Sequence, residues 1–274
     1  MKYRIFLSDF DGTLVRADGT ISETNKRAIA EYRAAGGIFA VCTGRMLTSI
    51  LPRLKELGIR DGLVVAYQGA TIADVKTGEL LKDDGFDRED ALRILDLLED
   101  AGHHTHVYTV HDLYCNRDDD ALRAYEHICG VKAGIVRGER LSAFVKRNGL
   151  RVVKILAMVE TADRRPLMEM VQKALGEGFY VTTSSDFLVE IMPAGQSKAA
   201  AVDYLSEYYR VPRAEIAAIG DQLNDLPMVM RAGGSFAVAN AAPELKKVAR
   251  VVPSVEEDGG AEALKIAMGD EDER

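Results

Sequence analysis

The strongest constraint on this chain is the run Ile5-Phe6-Leu7 near its start, which leads into Asp9-Phe10-Asp11-Gly12-Thr13. A short unbroken apolar run reads as a strand buried on both faces, the habit of parallel sheets. Its carboxyl end delivers two carboxylates two residues apart, then a glycine that lets the chain turn sharply. Ligands of open α/β sheets bind outside the carboxyl ends of the strands, so a site is expected here. Two neighbouring acids repel unless a cation shares their charge, and hard oxygen donors suit Mg²⁺. Taken alone, Asp-x-Asp-Gly is also a turn or the opening of a calcium loop. The calcium loop needs further acids and a closing glutamate, whereas Thr13-Leu14-Val15-Arg16-Ala17 follows here.

The same unit recurs. Ser22 is placed to cap a helix over 23–35 that stops at Gly36-Gly37, and Asp18-Gly19 signals a small β-flap over 14–21. A second apolar strand, 38–42, ends in Thr43-Gly44-Arg45, a hydroxyl, a free-turning amide and a guanidinium that together suit an anion. An ordinary strand-to-helix turn has the same residues. A helix over 47–57 and a strand over 63–67 follow, then Gln68-Gly69 and a hairpin, 70–75 with 79–82. Strand, helix, strand, helix, strand is the pattern of a parallel sheet with right-handed crossovers. Much later, the strand 216–219 ends in Gly220-Asp221-Gln222-Leu223-Asn224-Asp225, ahead of a short helix.

Between these parts the texture changes. From Asp83-Asp84-Gly85 onward, short strands (105–110, 113–116, 152–159, 180–184) alternate with helices (88–101, 119–128, 139–147, 163–175). That is the pattern of a separate α+β module. The expected organisation is a Rossmann-like α/β core from 1–82 and 188–274, with an α+β insertion at 83–187. A helix over 261–268 and an acidic tail over 269–274 close the chain.

Composition narrows the function. A net charge of −8 disfavours nucleic acid as the main partner, and no apolar stretch approaches the roughly 20 residues of a membrane span. Met1-Lys2-Tyr3-Arg4 runs straight into the first strand, which leaves no signal-peptide region ahead of it. Cys42, Cys115 and Cys129 are odd in number and lack CxxC spacing, as free thiols in a reducing cytoplasm would be. Cys42 reads as strand filler.

Four pieces now stand in order: Asp9-x-Asp11-Gly12-Thr13, Thr43-Gly44-Arg45, Lys198, and Gly220-Asp221-x-x-Asn224-Asp225. Together with Leu188-Val189-Glu190-Ile191 and Val238-Ala239-Asn240-Ala241, they resemble the haloacid-dehalogenase (HAD) superfamily over nearly the whole chain. The closer resemblance is to its Cof-type phosphatases, which carry a large inserted cap. The resemblance implies a Mg²⁺-dependent phosphatase of small phosphorylated metabolites, such as sugar phosphates or phosphorylated cofactors. Asp9 would be the nucleophile that forms an aspartyl-phosphate, and Asp11 the general acid and then base. Mg²⁺ would bind the Asp9 carboxylate, the Asp11 backbone carbonyl and Asp221, with Asp225 bracing behind them. Thr43, Gly44, Lys198 and Asn224 would hold the phosphoryl group.

Read residue by residue, the same positions have plainer meanings. Lys198 can be a solvated lysine, Asn224 a helix cap, and Asp225 a carboxylate matched to a helix dipole. Arg45 can touch substrate or brace a neighbouring carboxylate. Gln68 stands where Cof-type sequences usually carry Asn, which alters substrate contacts at that position. Two other functions share these motifs: a sugar phosphomutase of the same superfamily, and a phosphometabolite-binding protein without turnover. In the cap, His103, His104, His106 and His111 crowd together. Strand alternation puts His104, His106 and Tyr108 on one face. The spacing shows no convergent metal set, and the cap's usual role would turn one or two of these toward a leaving group. The oligomeric state is not encoded in any visible pattern.

Overall fold

The computed structural model describes residues 1–193 and 195–270. The end of the acidic tail, 271–274, and Ala194 in the expected return to the core lie outside the described residues. Among the described residues, fourteen strands form two sheets. In the first lie β1 (Ile5–Ser8), β2 (Ile38–Cys42), β3 (Leu63–Ala66), β4 (Thr71–Asp74) and β5 (Leu80–Asp83). The second holds β6 (His104–Tyr108), β7 (Leu113–Cys115), β8 (Ala133–Ile135), β9 (Lys154–Met158), β10 (Phe179–Thr182) and β11 (Leu188–Pro193). The chain then returns to the first sheet with β12 (Ile216–Gly220), β13 (Gly234–Val238) and β14 (Arg250–Val252).

The first sheet runs β14-β13-β12-β1-β2-β3-β4-β5. Its strands are parallel from β14 to β3, and the antiparallel β4–β5 hairpin forms one edge. Every residue of β1 is buried, as a strand covered on both faces requires. Phe6 stacks between Phe39 and Phe236 at centroid distances of 6.0 and 6.2 Å, with Tyr32 edge-on. Because β1 sits between β12 and β2, the loops after these three strands open side by side at one edge of the sheet. The motif residues of all three therefore meet.

The second sheet runs β10-β11-β9-β6-β7-β8 and is antiparallel except for β7–β8. Its period-2 alternation divides two jobs. Val107, Ile155, Ala157, Val189 and Ile191 face the helices Arg88–Asp100, Leu141–Asn148 and Thr161–Leu175. Tyr108, Leu156 and Leu188 join the core of the first sheet instead.

Three expectations need correction. Residues 188–191, expected to open the return to the core, are part of β11, hydrogen-bonded to β9 and β10 inside the second sheet. An apolar strand carries no label of its sheet, and the crossing falls after Pro193. The flap over 14–21 reduces to isolated bridges, Asp11 with Val15 and Val15 with Ile21, around the turn at Asp18-Gly19. Strand β8 was not foreseen. Among the described residues no helix is long and apolar enough to cross a membrane.

Candidate active site

The chain leaves β1 still in register, because the Asp9 amide donates to the Ile219 carbonyl at 2.9 Å. Phe10 is fully buried and pins the loop, which then turns at Gly12 with φ of +79°. A side chain at this position would be strained. A Cβ there would lie 2.4 Å from Asp221 Oδ2, so the Asp9–Thr13 loop and the loop after β12 touch backbone to carboxylate. Thr13 Oγ1 donates to Asp221 Oδ1 at 3.2 Å and fixes the other oxygen.

Lys198 begins the helix Lys198–Tyr209 and is fully buried. Its Nζ donates to Asp9 Oδ1 and to Asp225 Oδ1, each at 2.5 Å. Asp225 Oδ2 accepts from the backbone amides of Asp221 and Gln222 at 2.9 and 3.0 Å. Both oxygens of Asp225 are thus engaged, so it braces the loop. Lys198, expected to hold a phosphoryl group, spans two carboxylates, one of them Asp9. A buried ammonium is driven to the nearest anions where water cannot solvate it.

Three buried carboxylates, Asp9, Asp221 and Asp225, offer oxygens within 4.8 Å of one another. Burial, then the charge on Asp225, pushes the Asp9 carboxyl up to about 7 despite Lys198. Burial, with Asp9 and Asp225 beside it, lifts Asp221 well above the carboxylate range. One ammonium does not balance three carboxylates. A hard divalent cation between Asp9 and Asp221 would, and the all-oxygen donor set fits one.

Thr43 follows β2, and its Oγ1 accepts from the Arg45 amide at 3.1 Å. Arg45 grips both oxygens of Asp11 at 2.7 Å and lies over the Phe10 ring. Of its two readings, bracing a carboxylate is the one its contacts fit. Asp9, Asp11, Thr43, Gly44, Asp221 and Asn224 all line one cavity of about 210 Å³. Lys198 and Asp225 stand behind its wall.

The second sheet supplies the roof, whose polar residues the sequence reading gave no role. Lys154, nearly fully buried, donates to the Gly44 carbonyl at 3.0 Å and lies 3.6 Å from Glu190. Gln68 donates to Glu190 Oε2 at 2.9 Å and accepts from Asn224 Nδ2 at 3.0 Å. Ser184 completes the set by donating to Glu190 Oε1. Asn224 Oδ1 is buried without a partner. A signal did exist for two of these residues: Lys154 and Glu190 are lone charges inside apolar strands, which are rarely buried unless paired. Tyr125, Ser185 and Phe187 also line the cavity and carry no such mark.

The histidines resolve differently from expectation. His104 and His106 share a face, as alternation requires, but both are buried and neither lines this cavity. His103 is half-buried and His111 exposed. His104 and His106 do converge with Cys115, their donor atoms lying within 4.8 Å of one another.

The family model for haloacid dehalogenase-like hydrolases matches residues 6–264. The chain is 28% identical over 267 residues to YxeH of Bacillus subtilis (strain 168), which has a provisional phosphatase name; the match covers 96% of this chain and 97% of that one. It is 27% identical over 264 residues to the 5-amino-6-(5-phospho-D-ribitylamino)uracil phosphatase YitU of the same organism, covering 94% of each. A solved haloacid dehalogenase-like hydrolase from B. subtilis has the same fold, with a TM-score of 0.86 at 24% identity over 96% of this chain and 99% of that one. On the family match and the fold together, this chain is an enzyme of the haloacid dehalogenase-like hydrolase family.

Proposed function

We propose that the chain is a Mg²⁺-dependent phosphatase that hydrolyses phosphate monoesters of small metabolites through a phosphoryl group carried on Asp9. The observation that carries this reading is the buried Asp9, held by Lys198, at the wall of a cavity shared with Asp11, Thr43, Gly44 and Asn224. The phosphatase names of the relatives support the reaction class.

An Asp9 oxygen attacks phosphorus, and the bond from phosphorus to the leaving oxygen breaks. Asp11 delivers a proton to that oxygen, so the product leaves as an alcohol. Asp11 then takes a proton from water while the water oxygen attacks phosphorus, which releases phosphate and restores the Asp9 carboxylate. Lys198 keeps Asp9 oriented through both steps, and Asp225 keeps Lys198 in place. Thr43, the Gly44 amide and Asn224 hold the phosphoryl oxygens. Mg²⁺ bound by the Asp9 carboxylate, the Asp11 carbonyl and Asp221 would neutralise charge on the phosphoryl group. The module containing the second sheet roofs the cavity, limits water and selects the leaving group.

The test is phosphate release from para-nitrophenyl phosphate and a panel of phosphorylated metabolites, with Mg²⁺, with chelator, and with Asp9→Asn. Release that requires both Mg²⁺ and Asp9 is expected. An isomeric sugar phosphate with little free phosphate would mark a mutase. Tight ligand binding without release from folded protein would mark a binding protein.

A further inference from the structure

The second sheet carries a cluster that the phosphatase reading does not use. His106 on β6 and Cys115 on β7 are register partners across the antiparallel pair. His104 lies two residues along β6 on the same face, with its Nε2 3.2 Å from His106 Nε2. Three donors therefore occupy the corners of one face. We propose that His104, His106 and Cys115 form a three-ligand site for a borderline-soft divalent cation of the Zn²⁺ kind, distinct from the carboxylate site.

The geometry agrees with that ion. Tetrahedral zinc with bonds of about 2.0–2.1 Å to nitrogen sets the two nitrogens about 3.3 Å apart. The observed spacing of 3.2 Å needs almost no adjustment, and the whole donor set lies within 4.8 Å. Imidazole and thiolate suit zinc, whereas Mg²⁺ takes oxygen donors. The supporting contacts are those a metal-bound imidazole requires. His104 Nδ1 meets Asp119 Oδ2 at 3.2 Å, and Asp119 is itself fixed because its Oδ1 caps the helix Asp120–Cys129. His106 Nδ1 faces the Tyr108 hydroxyl at 3.5 Å, and that hydroxyl is 2.6 Å from Tyr125. With both Nδ1 atoms protonated, both Nε2 lone pairs converge. Of the three ligands, His104 reaches a cavity of about 490 Å³ that Arg117 and Asp119 also line, which gives the ion an entry path.

Burial keeps both imidazoles neutral at pH 7, His106 being pushed down to about 3. It also holds the Cys115 thiol up at about 11. That thiol donates to the Arg117 carbonyl at 3.1 Å. Binding replaces the S–H bond with a metal–sulfur bond and releases one proton to solvent.

The test uses the full chain in saturating Mg²⁺, titrated with Co²⁺ and read by absorption. One equivalent should produce tetrahedral visible bands and a sulfur-to-cobalt charge-transfer band, both erased by Zn²⁺. Cys115→Ser should lose the charge-transfer band. Asp119→Asn, altered at a partly exposed carboxylate, should weaken binding about 10–100-fold. No charge-transfer band in excess Co²⁺, or a band that survives Cys115→Ser, overturns the site. If Cys115→Ser fails to fold, an unchanged cobalt affinity in Asp119→Asn overturns it equally.

Discussion

Lys198 and Asp225 meet Nζ to Oδ1 at 2.5 Å with neither side chain exposed, and the same ammonium reaches Asp9. A pair buried this completely is fragile toward the loss of one member, because the survivor keeps its charge without a counter-charge. Lys198→Met should lower the unfolding free energy by about 3–5 kcal/mol. Lys198→Met with Asp225→Leu should cost less than the sum of the two single changes, since neither member of that pair is then stranded, although Asp9 still loses its ammonium. Urea denaturation measures all three. A loss below about 1 kcal/mol for Lys198→Met would contradict the burial argument.

Stability should also depend on pH through Asp9. Its carboxyl titrates near 7 in the folded chain against an ordinary 3.8, chiefly because of burial. Between those values the folded state holds a proton that the unfolded state has lost. Stability from this group is therefore complete below about pH 4 and is lost as pH rises through 7. In chelator, thermal melts from pH 5 to 8 should show falling Tm, and Asp9→Asn should flatten that fall. Added Mg²⁺ should raise Tm most at the alkaline end, where both Asp9 and its neighbours carry charge for it to bind. Equal slopes in the two proteins would remove Asp9 as the source.

Gly12→Ala tests the contact between the first and last motifs. The residue sits at φ +79°, and its new Cβ would press on Asp221 Oδ2 at 2.4 Å. Relief requires Asp221 to swing away, breaking its bond from Thr13 and spoiling the carboxylate set. The Mg²⁺ concentration for half-maximal phosphate release should rise tenfold or more, on the order of 1.4 kcal/mol of lost ion binding. Thermal melting should shift far less than the metal requirement does.

What was legible in the sequence was local. Asp9, Thr43 and Asp221 could be placed because each follows an apolar run within its own segment, and parallel order brings those ends together. The helix start at Ser22 was legible for the same reason, since its side chain accepts from the Asn25 amide. What depended on register between distant strands was hidden. Glu190 meets Gln68 across 122 residues of chain, and Lys154 meets Gly44 across 110. Cys115 faces His106 only because of the β6–β7 register, so the spacing of the histidines alone showed no ligand set. β8 escaped because Ala-Gly-Ile has little of the β-branched and aromatic character that marks strands.

Gln68 departs from the family habit of Asn, and its surroundings make the reverse change informative. The residue has φ of +58°, a region where asparagine is better tolerated than most side chains. Backbone preference alone therefore favours Gln68→Asn. The side chain argues the other way: its amide spans from Glu190 at 2.9 Å to Asn224 at 3.0 Å, and a stem one methylene shorter cannot hold both. Either Glu190 loses a donor or Asn224 loses its acceptor beside the cavity, and a bond to a buried charged group is worth about 1.5–3 kcal/mol. Because Glu190 and Asn224 line the cavity while Asp9 and Lys198 are untouched, the loss should fall on binding. Gln68→Asn should raise KM about tenfold or more for the best substrate of the panel and leave kcat within about threefold. A fall in kcat at constant KM would instead place Gln68 in support of the reacting groups.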